Sequence, residues 1–131
     1  MIGWAILWSI PSVQSYEAPP AEVKERTIDS EISRLTLKMG LDETLVRKVI
    51  KCEGSVYGGL THENKRKGVV WSRDWGPLQV NDFYHQSNME KLGMDIHDDF
   101  DSLEYGLMLM KTQGLSPWKA SKSCWSPSGS S

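Results

Sequence analysis

The segment "LDETLVRKVIKCEGSVYGG", residues 41–59, constrains this chain more than any other stretch. At 100° per residue, Leu41, Leu45, Val46, Val49, Ile50 and Cys52 fall in one half of a helical wheel, and Glu43, Thr44, Arg47, Lys48 and Lys51 in the other. Asp42 stands where an N-cap belongs, and neither Gly nor Pro interrupts the run before Gly54. Glu53 lies near the middle of the apolar half. A carboxyl group there loses hydration, so its charged form is disfavoured and its pKa rises. Such a group stays protonated near neutral pH and has a proton to give. The competing expectation is a helix that frays before Glu53 and lets the carboxylate turn to solvent.

The remaining pattern is also mainly helical. Ile28, Ile32, Leu35 and Met39 recur at helical spacing until Gly40 stops them, and a short helix is expected over 82–92. "DDFDSLEYGLMLMKTQG" is the most apolar helix, running from near Asp101 to Gly114, and 117–125 predicts a last short helix or turn. Between these, Gly54 to Gly76 carries five glycines and many polar groups, which predicts a loop or small β-hairpin region. The expected fold class is therefore mainly α. At 131 residues with 39% apolar content the chain fits one domain with its own core. The expected boundaries are an N-terminal apolar segment and linker over 1–26, the domain over 27–125 and a disordered tail over 126–131.

"MIGWAILWSIPSVQSYEAPP" joins an apolar run, Ile2 to Ile10, to Val13 and Ser15 at a spacing that a signal peptidase accepts, although no Lys or Arg precedes the run. It reads as a signal peptide, and otherwise as an apolar segment that packs on the domain or anchors it. Spanning a bilayer takes about 20 apolar residues, so no stable membrane span is expected in the mature chain. Cys52 and Cys124 allow one intramolecular pairing. In an exported chain a bridge would close a loop of about 70 residues, for roughly 4 kcal/mol in the chain-entropy model. In a reducing compartment both would be small buried side chains. A net charge of −2 lacks the basic field of a nucleic-acid binder, and "NKRKG" at 64–68 reads as a solvated loop. His62, His85 and His97 have no metal-ligand spacing and are expected at the surface. "DIHDDFD", residues 95–101, lacks the Gly and terminal Glu of a calcium loop and suits helix capping. No metal or cofactor is expected.

A second motif, "SRDWGPLQVND" at 72–82, completes the pattern. A helix ending in Glu, a Gly-rich region, and then Asp-aromatic-Gly-x-x-Gln-Val-Asn together resemble the lysozyme-like superfamily, both lysozymes and bacterial lytic transglycosylases. The resemblance covers residues 28–125. It implies a lysozyme-like fold in which the Gly-x-x-Gln-x-Asn segment faces the catalytic Glu across a sugar groove, so Glu53, Gly76, Gln79 and Asn81 carry over. "LEYGLMLM", with Gly106 inside an apolar helix, is similar to the family's central helix, and "SPWKASKSCW" is loosely similar to its C-terminal Trp segment. Gly54 stands where transglycosylases usually have Ser after the Glu, and "VVWSRDWG" replaces their Ser-x-x-Gly lead-in. The subfamily stays open on those departures.

The shared chemistry is protonation of a glycosidic oxygen by a neutral carboxylic acid while an oxocarbenium-like centre develops. Glu53 is the expected acid. In a retaining hydrolase a second carboxylate about 5 Å away attacks or stabilises the sugar cation, and Asp74 is the candidate. In a lytic transglycosylase the substrate's N-acetyl group takes that part, and Glu53 then activates the C6 hydroxyl to give a 1,6-anhydro product. Gln79 and Asn81 are expected to contact N-acetyl sugars, and Trp71, Trp75, Tyr84 and Trp118 either to wall the groove or to sit in the core. The expectation is an exported, monomeric lytic transglycosylase acting on peptidoglycan strands in the periplasm, cell wall or extracellular space. A muramidase using Glu53 and Asp74, and a non-catalytic cell-wall-binding module, are the alternatives.

Overall fold

A computed structural model describes Gly3 and residues 25–54 and 61–127. Most of the apolar N-terminal segment and linker, the "SVYGGL" stretch at 55–60 and the end of the tail lie outside the described residues. Within them, helix α1 spans Ile28–Met39, opened by a reciprocal capping box between Thr27 and Ser30 and closed by Gly40 at φ +68. Helix α2 covers Glu43–Cys52, with the Asp42 side chain capping Leu45 N–H. A hairpin follows, β1 over His62–Arg66 and β2 over Val69–Trp75, turning through Lys67 and Gly68, both at positive φ. β3, Val80–Asn81, adds to β2 antiparallel. Helix α3 is Asp82–Lys91, α4 is Asp99–Gln113, a 3₁₀ segment covers Ser116–Ser121, and α5 is Lys122–Trp125. At 58% helix beside a three-stranded sheet, the described residues form a mainly α protein. No helix among them is long and apolar enough to cross a membrane.

Helix α4 is the centre of the molecule. Leu103, Tyr105, Gly106, Leu107, Leu109 and Met110 are buried on several of its faces, as expected of a helix covered on all sides. Ile32 and Leu35 of α1, Val46, Val49 and Ile50 of α2, and Leu78, Val80, Met89, Ile96, Trp118 and Trp125 complete the core. Each fully buried Leu, Ile or Met contributes roughly 1.5–3 kcal/mol by leaving water. Burial of Val46, Val49 and Ile50 orients α2, and so determines where its last residue points.

Cys52 and Cys124 form a disulfide, with Cα atoms 5.8 Å apart across 72 positions of sequence. The bond ties α5 and the 3₁₀ segment to the C-terminal end of α2. Asp98 caps α4 and Asp101 receives the Asp95 N–H, so the acidic run of 95–101 serves helix capping and a local turn.

Candidate active site

Glu53 is the C-cap of α2, with φ −73 and ψ 0, and its N–H reaches Val49 O at 2.9 Å. The helix therefore holds its geometry up to the carboxylate rather than fraying before it. The side chain is half-buried, and Oε1 accepts a hydrogen bond from Ser121 Oγ at 2.7 Å. Burial pushes the Glu53 carboxyl above its ordinary value, the Ser121 hydroxyl opposes that shift, and the negative charge of Asp74 adds to it.

The facing wall comes from the sheet and the turn after it. Asp74 pairs with His62 on one side and Asn81 on the other, so a side chain from each strand can meet on one face. Asn81 Nδ2 donates to Asp74 Oδ1 at 2.8 Å and Asn64 Nδ2 to Oδ2 at 3.2 Å, and both amides also reach Ser72 Oγ at 3.0 Å. This polar belt fixes the plane of the Asp74 carboxylate. The Asn81 Oδ1 is used as well, capping α3 through Tyr84 N–H. Gly76 sits at φ +75, where a Cβ would come within 2.6 Å of Ser102 Oγ, so both the turn and the approach of α4 require glycine. Gln79, at φ +53, donates from Nε2 to Gly76 O at 2.9 Å.

Between these walls lie two cavities that share Glu53, Asp74 and Gln79. The larger, about 380 Å³, is also lined by Asn81, Tyr84, His85 and Trp118, and the smaller, about 350 Å³, by Thr61 and His62. Together they form one groove with two carboxyl groups and two carboxamides along it.

Of the residues singled out from sequence, Glu53, Asp74, Gln79 and Asn81 meet in the groove. Trp118 is its floor, 5% exposed, with Nε1 donating to Leu78 O at 2.8 Å. Tyr84 is at the rim, exposed, with its ring edge-on to Trp71 and Phe83. Gly76 stands behind Gln79 and serves through its carbonyl. Trp75 does not join them: its Nε1 donates to Asp82 Oδ2 at 3.3 Å and its ring meets His97 edge-on at 4.4 Å. Successive strand residues project to opposite faces, so with Asp74 turned to the groove its neighbour turns away. Trp71 lies under Arg66 in a cation–π contact and meets Tyr84 edge-on, and it lines neither cavity.

Three residues in or next to the groove escaped the sequence reading. His85 is half-buried rather than at the surface, sits 3.1 Å from Tyr105 Oη, and is held below its ordinary pKa by burial. Asn64 belongs to a run read as a solvated loop, yet the hairpin turns its amide inward. Ser121 is 68 positions from Glu53. The one signal that could have found it is the pairing of Cys52 with Cys124, which brings the neighbours of each cysteine together. Among the described residues no group of three or more His, Cys, Asp or Glu side chains is placed to hold a metal ion.

The arrangement is that of a polar cleft with one carboxyl group biased toward its neutral form, a second anchored by amides, and the Gln79 and Asn81 carboxamides beside them. No protein-family model, curated protein or solved structure matches this chain.

Proposed function

We propose that this chain is an exported peptidoglycan lytic transglycosylase with a lysozyme-like fold, cleaving the β-1,4 bond between N-acetylmuramic acid and N-acetylglucosamine. The observation that carries this reading is the half-buried Glu53 carboxyl, raised in pKa and open to a groove whose other wall is Asp74, Gln79 and Asn81. A carboxyl raised in pKa by an apolar surrounding is the glycosidic general acid of lysozyme, and the analogy is one of site chemistry. The disulfide supports export, since such bonds persist in oxidising compartments.

In the first step Glu53 gives its proton to the glycosidic oxygen as the C1–O bond breaks, and the N-acetyl carbonyl oxygen of the muramoyl residue bonds to C1. In the second, the Glu53 carboxylate takes the proton of the C6 hydroxyl while O6 displaces the N-acetyl oxygen from C1. The product is a 1,6-anhydro sugar, Glu53 is protonated again, and no water is consumed.

Both Asp74 oxygens accept amide hydrogen bonds within a belt that ties three strands together, which favours a structural post for this residue over a nucleophile's. The hydrolase alternative draws on the fact that Asp74 nonetheless lines the groove across from Glu53. Mass spectrometry of peptidoglycan digested by the purified protein separates the two. We expect 1,6-anhydromuramoyl ends; reducing muramic acid as the sole product would establish the hydrolase instead, and an absence of cleavage would leave a binding module.

A further inference from the structure

The Ser121 hydroxyl lies within hydrogen-bonding distance of three groups: Glu53 Oε1 at 2.7 Å, Trp118 O at 3.1 Å and Trp125 Nε1 at 3.2 Å. A serine hydroxyl has one proton and two acceptor lone pairs. The Trp125 indole N–H is only a donor and lies 3.2 Å from both Ser121 Oγ and Trp118 O, so it is shared between one serine lone pair and that carbonyl. The Trp118 carbonyl is only an acceptor. Glu53 alone among the three changes role with its charge. With Glu53 ionised, Ser121 gives its proton to Oε1. With Glu53 neutral, the carboxylic acid gives its proton to the remaining lone pair of Ser121 Oγ, and the serine proton turns to Trp118 O. Both arrangements use the same heavy-atom positions.

We propose that Ser121 is a positioning residue that partners Glu53 in both of its protonation states, switching its own proton between Glu53 and the Trp118 carbonyl. The proposal rests on the reading of Glu53 as an acid that becomes a base. Those two roles require the carboxyl group to keep one orientation through a change of charge. A rigid donor such as an amide N–H would serve only the carboxylate, whereas a rotating hydroxyl serves both forms.

The placement of Ser121 is set by the fold. It is three residues from Cys124, whose bond to Cys52 ends one residue before Glu53, and it lies between Trp118 and Trp125, both buried. Gly54, next to Glu53, has no side chain to offer. The other titratable groups lining the two cavities with Glu53 are Asp74 on β2, His62 on β1, and Tyr84 and His85 on α3. Asp74 carries the same sign of charge, and its two oxygens are held by Asn64 and Asn81. His85 has its Nδ1 at Tyr105 Oη.

The test follows the Glu53 side-chain and Trp118 carbonyl ¹³C resonances against pH in the full, oxidised chain and in Ser121→Ala. In the wild type the Trp118 carbonyl should titrate with the midpoint of Glu53, because it gains and loses the serine proton. In Ser121→Ala that titration should vanish and the Glu53 midpoint should move up. A Trp118 carbonyl that stays constant through the Glu53 titration overturns the proposal, as does a Glu53 midpoint in Ser121→Ala that is unchanged or lower.

On peptidoglycan, Ser121→Ala should move the alkaline limb of the activity profile to higher pH. Peak activity should fall by roughly ten- to a hundredfold, the worth of a hydrogen bond to a charged group. Ser121→Thr, which keeps the hydroxyl, should restore the wild-type limb, and a Ser121→Ala profile matching wild type would also overturn the proposal. Coupled titration in a wild type that cleaves no peptidoglycan would uphold the Ser121 assignment and remove the transglycosylase reading.

Discussion

Gly106 on α4 packs against Leu78 at a distance no side chain would permit: a Cβ at 106 would lie 2.7 Å from Leu78 Cδ1 and 2.9 Å from Leu78 Cβ. Leu78 is fully buried, lines the groove and accepts the Trp118 indole N–H on its carbonyl, so this contact seats the groove floor on the central helix.

Gly106→Ala should therefore destabilise the protein even though alanine is worth up to about 1 kcal/mol over glycine inside a helix. Overpacking costs about 1–3 kcal/mol, and the clash here reaches the Cβ of Leu78, which cannot rotate away. Denaturant unfolding should show a net loss of stability. A variant more stable than wild type would mean that the turn after β2 yields easily.

Glu53→Gln should abolish cell-wall cleavage while the fold stays intact, since the amide keeps the shape and can still accept from Ser121 but has no acidic proton to give. Activity within about tenfold of wild type would sink the assignment of Glu53 as the acid. The same variant has a stability signature. The folded pKa of Glu53 is above its ordinary 4.5, so this carboxyl favours folding fully below the unfolded pKa, and that contribution is lost as pH rises through the folded pKa. Relative to wild type, Glu53→Gln should gain stability as pH rises through that window, and thermal melts at several pH values would show the gain or its absence.

Asp74→Asn bears on the reaction type. If the N-acetyl group of the substrate supplies the nucleophile, the variant should keep activity within about a hundredfold of wild type and still yield 1,6-anhydro products. A loss of several orders of magnitude would instead mark Asp74 as a charge needed near the transition state.

Opening the disulfide should affect both stability and chemistry. Cys52 and Cys124 close a loop across 72 positions, for which chain entropy alone gives roughly 4 kcal/mol. A Cys52→Ala/Cys124→Ala protein should unfold at lower denaturant than the oxidised wild type, with its alkaline activity limb displaced toward that of Ser121→Ala. Labelling of the unfolded, unreduced wild type should find no reactive thiol, and two thiols there would contradict the bond.

The helices were legible along the chain because their causes are local. Thr27, Gly40, Asp42 and Asp98 cap or stop them through groups a few residues away, and the apolar spacing of α1 and α2 survives in the burial of Ile32, Leu35, Val46, Val49 and Ile50. The apolar-face position of Glu53 was readable for the same reason: a helix of known period carries a residue to a known side. The partners of Glu53 were not readable, because they are close only in space. Ser121 reaches it through a disulfide and two buried tryptophans, and Asn64 reaches Asp74 through a hairpin whose register is set by backbone pairing. Trp75 was a groove-wall candidate as an aromatic with a flat apolar face, but strand pleating turns it away from the side that its neighbour Asp74 faces. Local periodicity, capping and turn chemistry thus decided the elements and the side on which the acid sits, whereas its hydrogen-bond partner and the wall opposite depended on long-range contacts that only the packed chain brings together.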